Sequence, residues 1–285
     1  MDLKPALTLE QQVEAVRAKG FIVADKKAVA DFINRVGYYR IRAYMLAFRA
    51  GDGYEPGIDF ERVIHLYQFD NKLRAWFWPI LGDIECYMRT QIASHLAHKY
   101  GAEAHLDAGT FDPIRHKYHT EYLRQIERAI KNNSNAPVIK HHKRKYGGRF
   151  PIWVIIEFYT TGMLSFTYAD LKTADQKQIA RNAFGVGNLQ VESWLRAFTE
   201  LRNACAHYAR LYGVQFSTAP RDFKGAAYTM DRRLFSQIYM LKQLHPDAGE
   251  WTQAVAGLAE LLSDFRDFID TPRLGFPTNW RELLA

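Results

Sequence analysis

"DFERVIHLYQFDNKLRAWFWPILGDIECYMRTQIASHLAH", Asp59–His98, decides the fold class. Asp59 is a good N-cap, and behind it apolar residues recur at helical spacing without the alternation of a strand. Leu81, Ile84, Met88 and Ile92 mark the stripe in the second half. Pro79 interrupts the pattern: it lacks an amide donor and collides with the preceding turn, so a kink or break is expected there. Helical patterning continues almost throughout the rest of the chain, and alternating strands are scarce.

Other helices read out on either side. Thr8 opens a T-x-x-Q capping box with Gln11, and the helix it starts stops at Gly20. Asp25–Val36 gives a second helix ended by Gly37, "GYYRIRAYMLAF" (Gly37–Phe48) a third helix or a packed connector, and "GDGYEPG" a turn cluster. Downstream, a helix runs from beyond Pro113 to about Lys131, and "NNSNAP" separates it from the basic "KHHKRKYGGR". Further helices are predicted near Pro151–Thr161, Ala174–Phe184, Leu189–Tyr212, Asp231–Leu244 and Asp247–Ile269. No internal repeat or low-complexity linker divides the chain. The expected architecture is all-α: a helical bundle at 58–285, with an N-terminal helical extension, 1–57, packed on it as one compact unit.

The chain has 285 residues, 48% hydrophobic and 14% aromatic, enough to bury a large core and too apolar for disorder. Thirty-eight basic residues against 31 acidic leave +7, which favours an anionic partner, nucleic acid or anionic lipid. No stretch approaches the roughly 20 apolar residues of a bilayer span, and "MDLKPALTLE" holds no apolar leader core. A cytoplasmic protein with no membrane partner is expected. Cys86 and Cys205 are too few for a disulfide framework or a cysteine-rich metal site. Neither "GDG" nor "YGG" is followed by the Lys-Ser/Thr of a phosphate loop, so no cofactor is expected.

In Leu189–Tyr212, Val191, Trp194, Phe198, Leu201, Cys205, Tyr208 and Tyr212 form one apolar stripe. At about 100° per residue, Arg196, Glu200, Asn203, His207 and Arg210 fall opposite, with Arg202 between the faces. Asn203 and His207 are a helical turn apart, Arg202 is long enough to bend toward them, and Ala204 and Ala206 leave room. Such a face is either solvated or a site. "KHHKRKYGGR" poses the same choice. Lys140, Lys143, Arg144, Lys145 and Arg149 would track phosphates with Tyr146 stacking on a base, or the segment is a solvated loop or short helix. Adjacent His141 and His142 lack acidic or cysteine partners, so no metal is expected. Asp70 with Arg74 and Glu85 with Arg89 are i,i+4 ion pairs of structural type. His95, beside the apolar stripe, reads as a hydrogen-bonded core histidine, although "RTQIASH" also fits a loose R-x4–6-H rule.

"RNACAH" (Arg202–His207), inside "SWLRAFTELRNACAHYARLY" (Ser193–Tyr212), has the R-N-x3-H form of HEPN ribonucleases. With "VGYYRIRAYMLAF" (Val36–Phe48), "LYQFDNKLR" (Leu66–Arg74), "IECYMRTQIA" (Ile84–Ala93) and "LGFPTNW" (Leu274–Trp280), the chain resembles the Abi-like (Abi-2, AbiD/AbiF-type) abortive-infection family. That resemblance implies a HEPN-like bundle that cuts RNA without a metal, at a composite site shared by two copies. His207 would move a proton, Arg202 would meet the phosphate, and Asn203 would orient the imidazole or donate to phosphate, with Arg196 and Arg210 as further RNA contacts. It implies a homodimer, an RNA substrate and an antitoxin or regulatory small RNA as partner. The alternative is a non-cutting, RNA-binding or RNA-regulated scaffold on the same fold.

Overall fold

Residues 5–285 are described by a computed structural model. Helix α1, Leu9–Arg17, starts in the capping box read from its sequence: Thr8 Oγ1 accepts the Gln11 amide at 3.3 Å and Gln11 Oε1 accepts the Thr8 amide at 2.8 Å. Asp25 caps α2, Lys26–Val36, and Gly37, at φ +91°, turns the chain into α3, Tyr38–Met45. The turn cluster closes a minimal antiparallel hairpin, β1 Arg49–Ala50 and β2 Gly53–Tyr54.

Helix α4, Phe60–Tyr100, then runs 41 residues from its Asp59 cap to Gly101, about 60 Å at 1.5 Å per residue. Pro79 sits inside it without ending it, so the break considered from the sequence does not occur. What Pro79 does remove is the amide that the Ala75 carbonyl, four residues earlier, would have received. The remaining helices are α5 His119–Asn132, α6 Pro137–Lys145, α7 Ile152–Ile155, α8 Thr161–Asp170, α9 Thr173–Phe184, α10 Asn188–Ala206, α11 Leu234–Leu244, α12 Ala248–Asp264 and α13 Trp280–Leu284.

Helix α4 is the axis of the bundle: α3, α7, α8, α9, α10, α11 and α12 all pack on it. Buried side chains from Val13 to Leu284, with Phe60, Phe69, Phe77, Trp194 and Phe198 among the largest, form one contiguous apolar cluster that takes in the N-terminal helices. The all-α fold is therefore as expected. Helix α8 was not separately legible. Met163, Leu164, Ser165, Thr167 and Tyr168 are all buried, so the polar face that would have revealed a helical period is missing. Among the described residues no helix is long and apolar enough to cross a membrane.

His105, in a short turn after α4, is 1% exposed and its Nδ1 has no hydrogen-bond partner. Burial pushes its imidazole down to about 4, against the opposing pull of Glu103. An unfolded histidine titrates near 6.5. The folded state thus binds fewer protons between these values, and the stability His105 contributes, complete above about pH 6.5, is lost as pH falls toward 4. Thermal melts from pH 7 to 5 should show a steeper loss in the wild type than in His105→Asn. Parallel curves would mean that His105 titrates normally.

Candidate active site

The apolar stripe of α10 is buried as far as Cys205, and the helix stops at Ala206. His207 caps it, and Tyr208 adopts the left-handed conformation at φ +53°. The Tyr208 amide donates to the Cys205 carbonyl at 3.2 Å and the Ala209 amide to the Ala204 carbonyl at 2.9 Å. These are the two bonds of a Schellman ending, whose left-handed residue is ordinarily glycine. A tyrosine there costs on the order of 1–2 kcal/mol. The expected continuation of the stripe through Tyr208 fails for this reason: Tyr208 is 57% exposed. Arg210 also leaves the polar face that the helical wheel gave it. It is half-buried, and its Nη1 donates to the Ala43 carbonyl of α3 at 2.5 Å.

Two residues of α4 fasten this turn. Asp70, fully buried, accepts the Leu211 amide at 2.7 Å and the Tyr212 amide at 3.0 Å. Arg74 lies 3.8 Å from Asp70, donates to the Ala209 carbonyl at 2.8 Å and to Asn71, and sits 5.3 Å from the Tyr208 ring centroid. Burial pushes the Asp70 carboxyl up to about 6, although the two amides and Arg74 pull the other way. The pair that the sequence marked as structural is thus a clamp on residues 208–212. Glu200, placed by the wheel beside Asn203 and His207, instead accepts the Ser217 and Thr218 amides at 2.6 and 3.0 Å and holds the next stretch of loop.

His207 and Asn203 are exposed on the end of α10, while Arg202 is half-buried and leans onto α4. Its Nε lies 3.4 Å from Glu85 Oε2 and its guanidinium carbon 6.0 Å from the Trp78 ring centroid, so its partners are on α4 rather than Asn203 or His207. Glu85 also pairs with Arg89 and accepts Thr161 Oγ1 at 3.2 Å. Arg89 in turn donates to the carbonyls of Ile156 and Tyr159, tying α4 to the segment before α8. His95 stands apart, its Nε2 donating to Asp175 at 2.6 Å. Burial raises the Asp175 carboxyl, but hydrogen bonds from Lys99, His95 and Tyr100 outweigh it and hold the group below its ordinary value.

Lys140, Lys143, Arg144 and Lys145 are exposed on α6, a short helix started by Pro137, and Tyr146 follows them into solvent. Arg149 pairs with Glu103, and His142 is buried with its Nδ1 on the Arg149 carbonyl at 3.0 Å. This segment packs beside Ala102 and Glu103, just beyond the end of α4. From Arg74 to that end is about 40 Å along the helix axis, so the fold does not bring the basic segment to His207. Arg196 is exposed and pairs with Glu192 at 2.5 Å. If the segment carries RNA, neutralising Lys143, Arg144 and Lys145 together should weaken single-stranded RNA binding and flatten its log–log salt slope by up to about 2. An unchanged salt series would make it a solvated helix.

Two groupings were not read from the sequence. Asp170, His116 and His119 form a chain, His116 Nδ1 at 3.0 Å from Asp170 and Nε2 at 2.8 Å from His119. Asp83, His245 and Glu250 bring ligand-type atoms within 4.8 Å of one another at the surface. Beside the Schellman turn, Tyr67, Asn71, Arg74, Ala75, Trp78, Pro79, Cys205, Ala206 and Tyr208 line an open groove of about 660 Å³.

The family model of the Abi-like proteins matches residues 31–213, well over half of the chain. The match takes in the four sequence blocks at 36–48, 66–74, 84–93 and 193–212, including the clamp, Glu85 and the histidine turn. It ends before "LGFPTNW", so the closing element expected at Leu274–Trp280 lies outside it. No curated protein and no solved structure matches the chain significantly.

Proposed function

The chain belongs to the Abi-like protein family, and from that premise we propose that it is an abortive-infection effector that cuts RNA without a metal, in the manner of HEPN ribonucleases. The observation that carries the reading is the placement of His207. It is exposed at the tip of a helix, on a left-handed turn built without glycine and held to α4 by a buried Asp–Arg pair. Strain maintained at such a point, next to a solvent-facing histidine, is the arrangement of a working site rather than of a core.

The chemistry is transesterification. The ribose 2′-oxygen forms a bond to the adjacent phosphorus as its proton passes to one imidazole. The bond from phosphorus to the 5′-oxygen breaks as that oxygen takes a proton from a second imidazole. Products are a 2′,3′-cyclic phosphate and a 5′-hydroxyl. One copy of the motif supplies one histidine, so a homodimer with a two-fold axis through the motif would supply both. Arg202 meets the charge that builds on the phosphate: Glu85 lies against its Nε, and among the described residues no hydrogen bond occupies its two Nη groups. Asn203, exposed one turn before His207, is the further donor. A nuclease of this kind needs restraint, which an antitoxin or a regulatory small RNA would provide.

Mixed dimers test both parts. His207→Ala combined with wild type, assayed on single-stranded RNA in EDTA, should lose much more than half of the cutting per heterodimer if the two histidines share a site. Retention of about half would make the sites independent. RNA bound tightly by the wild type and never cut would favour the scaffold reading.

A further inference from the structure

The groove beside His207 has features that packing does not require. Trp78 is 53% exposed and Tyr208 57%, two large aromatic surfaces left open on the walls of one groove. Tyr208 is in addition the strained residue of the turn. Guanidinium groups stand over both rings, Arg202 over Trp78 at 6.0 Å and Arg74 and Arg40 over Tyr208 at 5.3 and 5.9 Å. The lining also holds Ala75, whose carbonyl lost its helix donor to Pro79, and Asn71, whose side chain is half-buried there. Ala206 and Tyr208, the two neighbours of His207, form one edge.

We propose that this groove holds an unpaired nucleobase of the RNA, stacked against Trp78 and Tyr208, next to the phosphate served by His207. The proposal rests on the ribonuclease reading for its substrate. Flat apolar walls suit the face of a base, and stacking is open to every base. Arg40, exposed beside the Tyr208 ring, and Arg202, half-buried beside Trp78, draw in a polyanion, while the Ala75 carbonyl offers an acceptor for a ring or exocyclic N–H. A paired base has its edge and both faces already engaged, so the groove selects single-stranded RNA.

The test uses full-length His207→Ala, so that substrate survives, with a short end-labelled single-stranded RNA and a set of the same RNA carrying one abasic nucleotide at each position. Trp78→Ala should weaken binding about tenfold, within the range of one lost base stack. Trp78→Phe should restore most of the affinity, and Tyr118→Ala, an exposed aromatic elsewhere, should leave it unchanged. One abasic position should weaken binding to the Trp78 protein and have little further effect in Trp78→Ala. Equal affinity of Trp78→Ala and its parent, or an abasic penalty that persists in full without Trp78, overturns the proposal. The coupling can persist in a protein whose wild type never cuts RNA, which would sink the ribonuclease chemistry and leave the groove. Cutting without coupling does the reverse.

Discussion

His207→Ala should melt within about 0.5 kcal/mol of the wild type, as expected for an exposed side chain away from buried networks, and should lose RNA cutting by at least about 100-fold. The stability half follows from structure: His207 is exposed, and the turn it caps is held by backbone bonds and by Asp70 and Arg74, not by the imidazole. The activity half follows from the proposed mechanism, in which a missing acid or base stops one of the two proton transfers. Arg202→Ala should fall by a similar factor, about 100- to 1,000-fold for a lost oriented donor. Arg202→Lys should not rescue it, since an ammonium cannot meet two phosphate oxygens in a fixed plane. Single-turnover cleavage beside thermal melts checks all three. Full cutting by His207→Ala would remove the histidine from the mechanism.

Asp70→Ala is the other large effect, and it should act on the fold first. The substitution leaves Arg74 buried without its carboxylate and the Leu211 and Tyr212 amides without an acceptor. Breaking a buried pair in this way costs on the order of 3–5 kcal/mol, or roughly ten degrees of Tm for a chain of this size. The turn carrying His207 should loosen with it, so cutting should fall at temperatures where the protein is still folded. A double variant, Asp70→Leu with Arg74→Met, should recover part of the stability and none of the activity. The wild-type pair also has a pH signature. Because burial raises the Asp70 carboxyl to about 6, above its unfolded value, its contribution is greatest below about pH 4 and declines as pH rises toward 6, opposite in sign to that of His105. Melts in which Asp70→Ala is as stable as the wild type would contradict the clamp.

Much of this architecture is written locally. Asp59 and Gly101 bracket α4 with ordinary capping chemistry, and the stripe from Val191 to Cys205 predicts the buried face of α10 residue by residue. The end of α10 is different. Tyr208 and Tyr212 continue the spacing of the stripe, so periodicity runs on past the point where the backbone turns left-handed, and no glycine marks the stop. The acceptor for the amides beyond it is Asp70, 141 residues earlier in the chain for Leu211, and no local pattern can announce a partner at that distance. Arg210 illustrates the same limit, since its carbonyl partner is on α3. The groove was hidden for a related reason: Trp78 and Tyr208 meet only once α4 and the turn are packed together. By contrast, the i,i+4 pairs Asp70–Arg74 and Glu85–Arg89 were legible because both partners share one helix.

The measurement that bears most directly on the central claim is the chemistry of the RNA ends. Purified wild-type protein, incubated with single-stranded RNA in EDTA, should leave 2′,3′-cyclic phosphates and 5′-hydroxyls, and an RNA with a single 2′-deoxy sugar at the scissile position should resist. Cleavage that needs a divalent metal and leaves 5′-phosphates, or that proceeds equally at the deoxy position, would contradict it.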